Sequence, residues 1–137
     1  MTRVFVDTNI LLYFSDQHSE FHFQVINLFA HFVQQKFQMV ITPFVLNELH
    51  YSYFRKFGAQ RAAQLTNAVF QLPGFVIEDV TLQQADIVEL GELAQQYNLQ
   101  TFDATHVLYC KKLGIKKIVS FDKHFDKVRG LQRVCTV

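Results

Sequence analysis

The sequence has few of the features that mark exported, membrane-spanning or zinc-binding proteins. Its two cysteines, Cys110 and Cys135, have no metal-ligand spacing, and without an export signal we expect both thiols to be reduced. The longest uninterrupted apolar run near the start, residues 10–14, is far shorter than the ~20 residues of a membrane-spanning helix. These absences predict a cytoplasmic protein that does not enter a membrane.

Other absences narrow the chemistry. The sequence contains no glycine-rich phosphate loop, no nucleophilic Ser/His/Asp grouping, no CxxC motif and no internal repeat. Only 18% of the residues are charged and half are hydrophobic, which argues against disorder. A chain of 137 residues has the usual size of one domain, so residues 1–137 are predicted to form a single domain. Fifteen phenylalanines exceed the need of one small core, and we therefore expect a homodimer.

The net charge of +1 conceals two oppositely charged parts. Residues 1–103 carry five Lys or Arg against ten Asp or Glu, a net charge of −5. Residues 104–137 carry eight Lys or Arg against two Asp, a net charge of +6. A basic end suits a polyanionic partner, although a solvated helix face and loop would explain the same composition.

Hydrophobic patterning predicts strands that alternate with helices. Strand-like runs are residues 3–6, 39–41, 75–80, 117–121 and 131–137, and helical runs are 10–14, 20–37, 43–57, 59–72, 82–97 and 101–113. Thr42 and Pro43 are typical of a helix start, and Gly58, Asn98 and Gly114 of helix ends. The alternation predicts an α/β fold, a three-layer α/β/α sandwich on a mostly parallel sheet of about five short strands.

Four acidic residues are set against hydrophobic sequence rather than in charged surface runs. Asp7 and Asp122 follow apolar strands, where the working site of a parallel sheet lies. Glu48 borders the apolar face of its helix, and Asp103 lies in the first turn of another. Any one of them has a simple explanation as a turn or cap residue. Four partly buried carboxylates without basic partners repel one another unless a cation compensates, and oxygen ligands of this kind suit Mg²⁺, with Mn²⁺ as a substitute.

These acids stand in four short segments of recognisable sequence. The segments are Val4-Phe5-Val6-Asp7-Thr8-Asn9-Ile10, Val45-Leu46-Asn47-Glu48-Leu49, Phe102-Asp103-Ala104 and Ser120-Phe121-Asp122-Lys123-His124-Phe125-Asp126. In this order and at this spacing they resemble the motifs of PIN-domain nucleases, and more narrowly the VapC-type toxins of prokaryotic toxin–antitoxin pairs. The resemblance covers residues 3–134.

The resemblance implies roles for individual residues. It makes Asp7, Glu48, Asp103 and Asp122 the catalytic, metal-holding acids, and Asn9, Ser120 and Thr8 the polar residues that orient them. Two histidines depart from the pattern. His106 stands where such chains often have an apolar residue, and its place one helical turn after Asp103 makes it either a substrate contact or a core residue. His124 stands where an acid is common. Neither departure removes a metal-holding acid.

The implied activity is Mg²⁺-dependent endonucleolytic hydrolysis of RNA, with a small antitoxin protein as partner. Lys123, Lys127 and Arg129 are candidate substrate contacts beside His106, because they belong to the basic end of the chain. Tyr13, Phe14 or Phe125 are candidates for stacking on unpaired bases. Asp126 is a possible extra acid, or a surface partner of Lys123 or Lys127.

Three alternatives remain open at this point. A housekeeping PIN nuclease in RNA processing would share the chemistry and differ in biological role. A non-catalytic RNA-binding or partner-binding module would share the fold, although four intact acids argue against it. A phosphotransfer domain with Asp7 as nucleophile would need a second acid two residues later, and position 9 is Asn.

Overall fold

A computed structural model describes residues 1–137, which form six α-helices, five strands and two 3₁₀ helices. The strands are β1 (Arg3–Val6), β2 (Gln38–Ile41), β3 (Phe75–Ile77), β4 (Lys117–Val119) and β5 (Gln132–Val134). The helices are α1 (Thr8–Ser15), α2 (His22–Gln34), α3 (Pro43–Phe57), α4 (Ala59–Ala68), α5 (Gln84–Tyr97) and α6 (Thr101–Leu113). The 3₁₀ helices are Val69–Gln71 and Lys123–Lys127.

All five strands form one parallel sheet in the order β3-β2-β1-β4-β5. The chain builds outwards from β1 to β2 and β3 on one side, and then crosses to β4 and β5 on the other. The direction of winding therefore reverses between β1 and β4. In open parallel sheets, a crevice for ligands forms at the carboxyl ends of the strands at this reversal.

Both faces of the sheet are covered. Val4, Phe5 and Val6 in β1 are all 0% exposed, although successive side chains of a strand point to opposite faces. Such a strand requires an apolar layer on each side, and the helices that flank the sheet provide both. The predicted α/β sandwich is confirmed, and its sheet is wholly parallel.

The helix ends follow the local sequence. Thr42 Oγ1 accepts a hydrogen bond from the backbone N–H of Val45, and Pro43 occupies the first turn of α3. The left-handed backbone of Asn98 ends α5, at a φ of 51°. Gly114 ends α6 in the same way, at a φ of 68°. The predicted limits of α3 and α6 are therefore met residue for residue.

Three strands and three helices are shorter than predicted, including the helix predicted for residues 82–97, which begins at Gln84. β3 stops at Ile77 because its neighbour β2 stops at Ile41, where α3 is about to begin. β4 likewise stops at Val119, level with the last residue of β1. The predicted helix 20–37 spans only His22–Gln34, since the positive φ of Lys36 turns the chain back into β2. The last turn predicted for residues 59–72 is 3₁₀ rather than α.

The two cysteines are free, as expected, with Cys110 buried and Cys135 half-buried. None of the six helices combines the length and the apolar character needed to cross a lipid bilayer.

Substitution by alanine should change the free energy of unfolding in opposite directions at Gly91 and at Gly114, although both glycines have open surroundings. A Cβ added to Gly91, inside α5, or to Gly114 would meet no atom within 4 Å. Gly91→Ala should raise the free energy of unfolding by about 0.5–1 kcal/mol, because alanine favours the helix. Gly114→Ala should lower it by about 1 kcal/mol, because alanine is strained at positive φ. Urea denaturation measures both, and changes of the same sign would contradict the assigned end of α6.

Candidate functional site

The carboxyl ends of β1 and β4 bring the first acidic residue to the edge of the sheet. Asp7 is the one residue between β1 and α1, and its backbone is extended, so it joins the strand to the helix. Its N–H donates to the carbonyl of Val119, the last residue of β4, at 3.0 Å. This bond fixes the carboxylate at the point where the winding of the sheet reverses.

A buried hydroxyl links Asp7 to the segment after β4. Ser120 is 0% exposed, and its Oγ donates to Asp7 Oδ2 at 2.7 Å. The same Oγ accepts the backbone N–H of Asp122 at 3.0 Å. Ser120 therefore orients the Asp7 side chain and the Asp122 backbone together.

Glu48 reaches this edge from α3. Its Oε1 accepts a hydrogen bond from Thr8 Oγ1 at 3.2 Å. His106 Nε2 lies 2.9 Å from the same oxygen and 3.8 Å from Asp7 Oδ1. Despite the short distance, neither ring nitrogen of His106 makes a well-aligned hydrogen bond, although the side chain is only 1% exposed. The imidazole therefore lies between two carboxylates without being satisfied by either.

Asp103 comes from the first turn of α6. Its Oδ2 accepts a hydrogen bond from Gln100 Nε2 at 3.3 Å, and the residue is 8% exposed. Burial, followed by repulsion from Asp7 and Asp122, raises the pKa of Asp103 from 3.8 to about 6. Such a shift shows that Asp103 is within electrostatic reach of carboxylates from two other segments.

Asp7 experiences the same kind of environment. Burial raises its pKa above the ordinary value, and the negative charge of Glu48 adds to the shift. The positive field of His106 and the hydrogen bond from Ser120 oppose it. No Lys or Arg forms an ion pair with Asp7, Glu48 or Asp103. We call Asp7, Glu48, Asp103 and Asp122 the acidic cluster.

Asp122 is the most exposed aspartate of the acidic cluster. Its Oδ1 accepts the backbone N–H of His124 at 2.9 Å and so caps the 3₁₀ helix Lys123–Lys127. His124 Nδ1 lies 2.8 Å from the same oxygen. One oxygen of Asp122 is thus engaged locally, and the histidine found in place of the family's common acid is its neighbour.

The structure does not bring every predicted residue to the acidic cluster. Asn9 is exposed, and its side chain makes no hydrogen bond. Arg129 lines a separate cavity of about 340 Å³ with Gly114 and Lys116, at the amino ends of β4 and β5. Lys123 and Lys127 are exposed on the 3₁₀ helix that follows Asp122.

The pairing of Asp126 differs from the prediction. Arg133 binds both of its oxygens, at 2.7 and 3.1 Å, and not Lys123 or Lys127. The hydrogen bond from Arg133 holds the pKa of Asp126 below its ordinary value. This side chain is therefore committed to a surface ion pair.

The oxygen atoms of the acidic cluster are suitable ligands for a divalent cation, but they are not spaced as they would be around a bound ion. Carboxylate oxygens from four segments are the ligands that Mg²⁺ and Mn²⁺ accept. No three His, Cys, Asp or Glu side chains have the mutual spacing of a metal-ion site as they stand. The buried and unsatisfied Nε2 of His106 lies next to Glu48 and Asp7, which marks this space as a place for a further polar group.

Sequence analysis missed a set of side chains beside the acidic cluster. A groove of about 560 Å³ adjoins Glu48 and is lined by Phe44, Asn47, Glu48, Tyr51, Ser52 and Phe102. We call it the aromatic groove. On α3, Phe44 and Ser52 lie four positions from Glu48, Tyr51 lies three positions from it, and Asn47 is its neighbour. Phe102 directly precedes Asp103. Helical spacing from the predicted acids would have found most of them.

The predicted stacking residues are less available. Phe125 is 0% exposed, and Tyr13 packs against Phe21 and Phe121 with ring centroids 5.0 and 5.6 Å apart. Phe14 packs against Phe29 at 5.1 Å. These rings serve the core and its margin.

Solved structures with the same fold are known. VapC20 from Mycobacterium tuberculosis, a sarcin-ricin loop cleaving toxin, has a TM-score of 0.72 and 22% identity, over 90% of this chain and 92% of that one. VapBC2 from Rickettsia felis, bound to a DNA fragment from its promoter, has a TM-score of 0.72 and 19% identity, over 97% and 98%. DNA-bound VapBC from Salmonella typhimurium has a TM-score of 0.71 and 14% identity, over 98% of both chains.

Identities this low show a shared fold. The chain matches no curated protein sequence. The sequence model of the PIN domain matches residues 4–131, which include the whole acidic cluster. The chain therefore belongs to the PIN-domain family.

Proposed function

We propose that this chain is a single-domain, Mg²⁺-dependent endoribonuclease and the toxin of a toxin–antitoxin pair. The observation that carries the proposal is the acidic cluster, in which burial and neighbouring acids raise the pKa of Asp7 and of Asp103, and no Lys or Arg forms an ion pair with either carboxylate. A PIN domain over residues 4–131 supports a nuclease, and the likeness to VapC toxins supports the biological role.

The electrostatics of the acidic cluster favour a bound divalent cation. At neutral pH the carboxylate of Asp103 is ionised although burial and its neighbours disfavour that form. Asp7, Glu48, Asp103 and Asp122 are the residues that would hold the ion. When bound, Mg²⁺ supplies Lewis-acid activation of the scissile phosphate and of water. The same charge relieves the repulsion between the acids, so binding should stabilise the fold.

The residues of the chain position these groups and can move a proton. Ser120 Oγ and Thr8 Oγ1 hold Asp7 and Glu48 in fixed orientations. The side chain of Glu48 is half-buried and therefore open to solvent on one side, which places its carboxylate where it can take a proton from water. Burial of Asp7 and His106 limits access of bulk water to this part of the site.

The side chains after Asp122 supply positive charge beside the acidic cluster. Lys123 and Lys127 are exposed and form no ion pair, so both are free to bind the phosphates of an RNA backbone. Contacts of this kind make binding salt-dependent. Arg129 lies at the amino ends of β4 and β5, opposite to the carboxyl ends that carry the acidic cluster, and is not part of this proposed surface.

The biological role follows from the kind of protein that shares the fold. The Rickettsia felis and Salmonella typhimurium structures are VapBC complexes, which supports a small antitoxin as partner of this chain. We also propose a homodimer, because large apolar side chains such as Phe23 and Phe70 are 74% and 53% exposed. A cytoplasmic location accords with an RNA substrate and with two free thiols.

Removal of one metal-holding carboxylate should abolish cleavage. Asp7→Asn and Asp103→Asn should each lower Mg²⁺-dependent cleavage of total RNA by about 100-fold or more, because a neutral amide neither holds the ion nor takes a proton. Asp126→Asn is the matched control and should cleave normally, since Asp126 pairs with Arg133 at the surface. Cleavage is followed on gels with Mg²⁺ or with EDTA. Full activity of Asp7→Asn in a folded protein would refute the assignment.

Asp103 should destabilise the metal-free protein at neutral pH. Its pKa is 3.8 when unfolded and about 6 when folded, so its stabilising contribution is complete below pH 3.8 and is lost as the pH rises through 6. Without metal, Asp103→Asn should therefore raise the free energy of unfolding at pH 7 by roughly 1–3 kcal/mol, and much less at pH 4.

Urea denaturation of both proteins in EDTA at the two pH values measures this difference. Saturating Mg²⁺ should then stabilise the wild type at pH 7 more than the variant, because only the native state binds the ion and the variant binds it more weakly. An equal effect of the substitution at pH 4 and pH 7 would show that repulsion at Asp103 is not its cause.

The toxin role predicts growth arrest on expression in a bacterial host. Wild-type protein should stop growth, whereas Asp7→Asn should not, because arrest requires cleavage of cellular RNA. Co-expression of the small open reading frame beside the gene should restore growth. Continued growth with abundant, active wild-type protein would refute the toxin role and leave the nuclease proposal intact.

A further inference from the structure

The aromatic groove offers exposed rings next to the acidic cluster. Tyr51 is 59% exposed and Phe102 is 49% exposed, so about half of each side chain is open to solvent. Phe44 forms the inner wall, where its ring meets buried Tyr109 at 5.6 Å in an edge-to-face arrangement. The groove therefore combines one fixed ring with two open ones.

The aromatic groove and the acidic cluster share Glu48. A ligand in the groove would thus contact the residue that also touches His106 and Thr8. Asn47 and Ser52 add amide and hydroxyl groups to the lining, which can bind the polar edge of a flat ring. The groove is therefore an extension of the candidate active site and not a separate cavity.

A positive charge next to Tyr51 of the aromatic groove favours an anionic occupant. Arg55 lies one helical turn beyond Tyr51, with its guanidinium carbon 5.8 Å from the centre of the Tyr51 ring and Nη1 3.2 Å from the hydroxyl. Arg55 forms no ion pair with any carboxylate. Open rings between an unpaired guanidinium and a hydrolytic site are the combination that binds single-stranded nucleic acid.

We infer that the aromatic groove binds an unpaired nucleobase of the RNA substrate, stacked on Tyr51 and Phe102, beside the phosphate at the acidic cluster. Arg55 binds a backbone phosphate on the far side of that base. The inference rests on the proposed nuclease function. It adds to that function a binding site that would select unpaired RNA over duplex RNA. Because every base has an aromatic face, the groove selects strandedness more strongly than sequence.

The test compares two 12-nucleotide RNAs of equal charge, an unstructured strand and one whose central residues are abasic. Binding is measured by fluorescence anisotropy with Mg²⁺ in an Asp7→Asn background, which should not cleave. The parent protein should bind the base-bearing strand about ten-fold more tightly than the abasic strand. Tyr51→Ala or Phe102→Ala should remove most of this preference and leave affinity for the abasic strand nearly unchanged.

Two matched variants separate stacking from general damage to the helix. Phe54→Ala removes a ring of similar exposure, 50%, from the same helix but outside the aromatic groove, and should keep the full preference. Tyr51→Phe keeps the ring and should also keep it. Equal preference in the parent, Tyr51→Ala and Phe102→Ala proteins would overturn the inference, as would a parent protein without preference.

Light scattering tests a second copy of the chain as the occupant. If Tyr51→Ala halves the molar mass of the RNA-free protein and Phe54→Ala does not, the aromatic groove is a subunit interface and the inference is wrong. Failure of the nuclease proposal has a different signature. Wild-type protein would then leave total RNA intact with Mg²⁺, whatever the binding measurements give.

Discussion

Repulsion between neighbouring carboxylates, two of them buried, is the constraint on which this molecule depends. Asp7, Glu48 and Asp103 come from three different elements and meet where β1 and β4 end. The raised pKa values of Asp7 and Asp103, caused first by burial and then by neighbouring acids, show that the fold works against its own stability there. A divalent cation would relieve this repulsion, so the same electrostatics that destabilise the metal-free fold support the proposed metal site.

The parts of the fold that could be predicted from sequence are those decided locally. The hydroxyl of Thr42 and the open backbone of Gly58 and Gly114 fix the limits of α3 and α6 within a few residues of chain. Strand ends depend instead on a neighbour distant in sequence, as β3 ends where β2 ends. The sequence after Ile77 is Glu78-Asp79-Val80, and this charged pair alone does not end the predicted strand, which runs to Val80.

In the candidate site, too, some features could be predicted from the local sequence and others depend on contacts between distant parts of the chain. The acids could be chosen from sequence because each follows or borders an apolar element, and a common edge of a parallel sheet brings them together. The bond between Thr8 and Glu48, forty residues apart, and the place of His106 between two carboxylates depend on how α1, α3 and α6 pack. The aromatic groove was missed for a related reason, because a phenylalanine count does not distinguish core rings from exposed ones.

The number of basic residues in the C-terminal part of the sequence also overstates the positive charge near the acidic cluster. Of the eight basic residues after position 103, Lys111, Lys112 and Arg133 are held by acidic partners. Lys116 and Arg129 line a cavity at the amino ends of β4 and β5, and Lys117 lies over the ring of Phe37. Only Lys123 and Lys127 remain, on the 3₁₀ helix that follows Asp122. Arg55, from the acidic part of the chain, forms no ion pair and lies against Tyr51 of the aromatic groove. A polyanion at the acidic cluster would therefore meet positive charge from two separate parts of the sequence, an arrangement that depends on folding and that composition alone does not reveal.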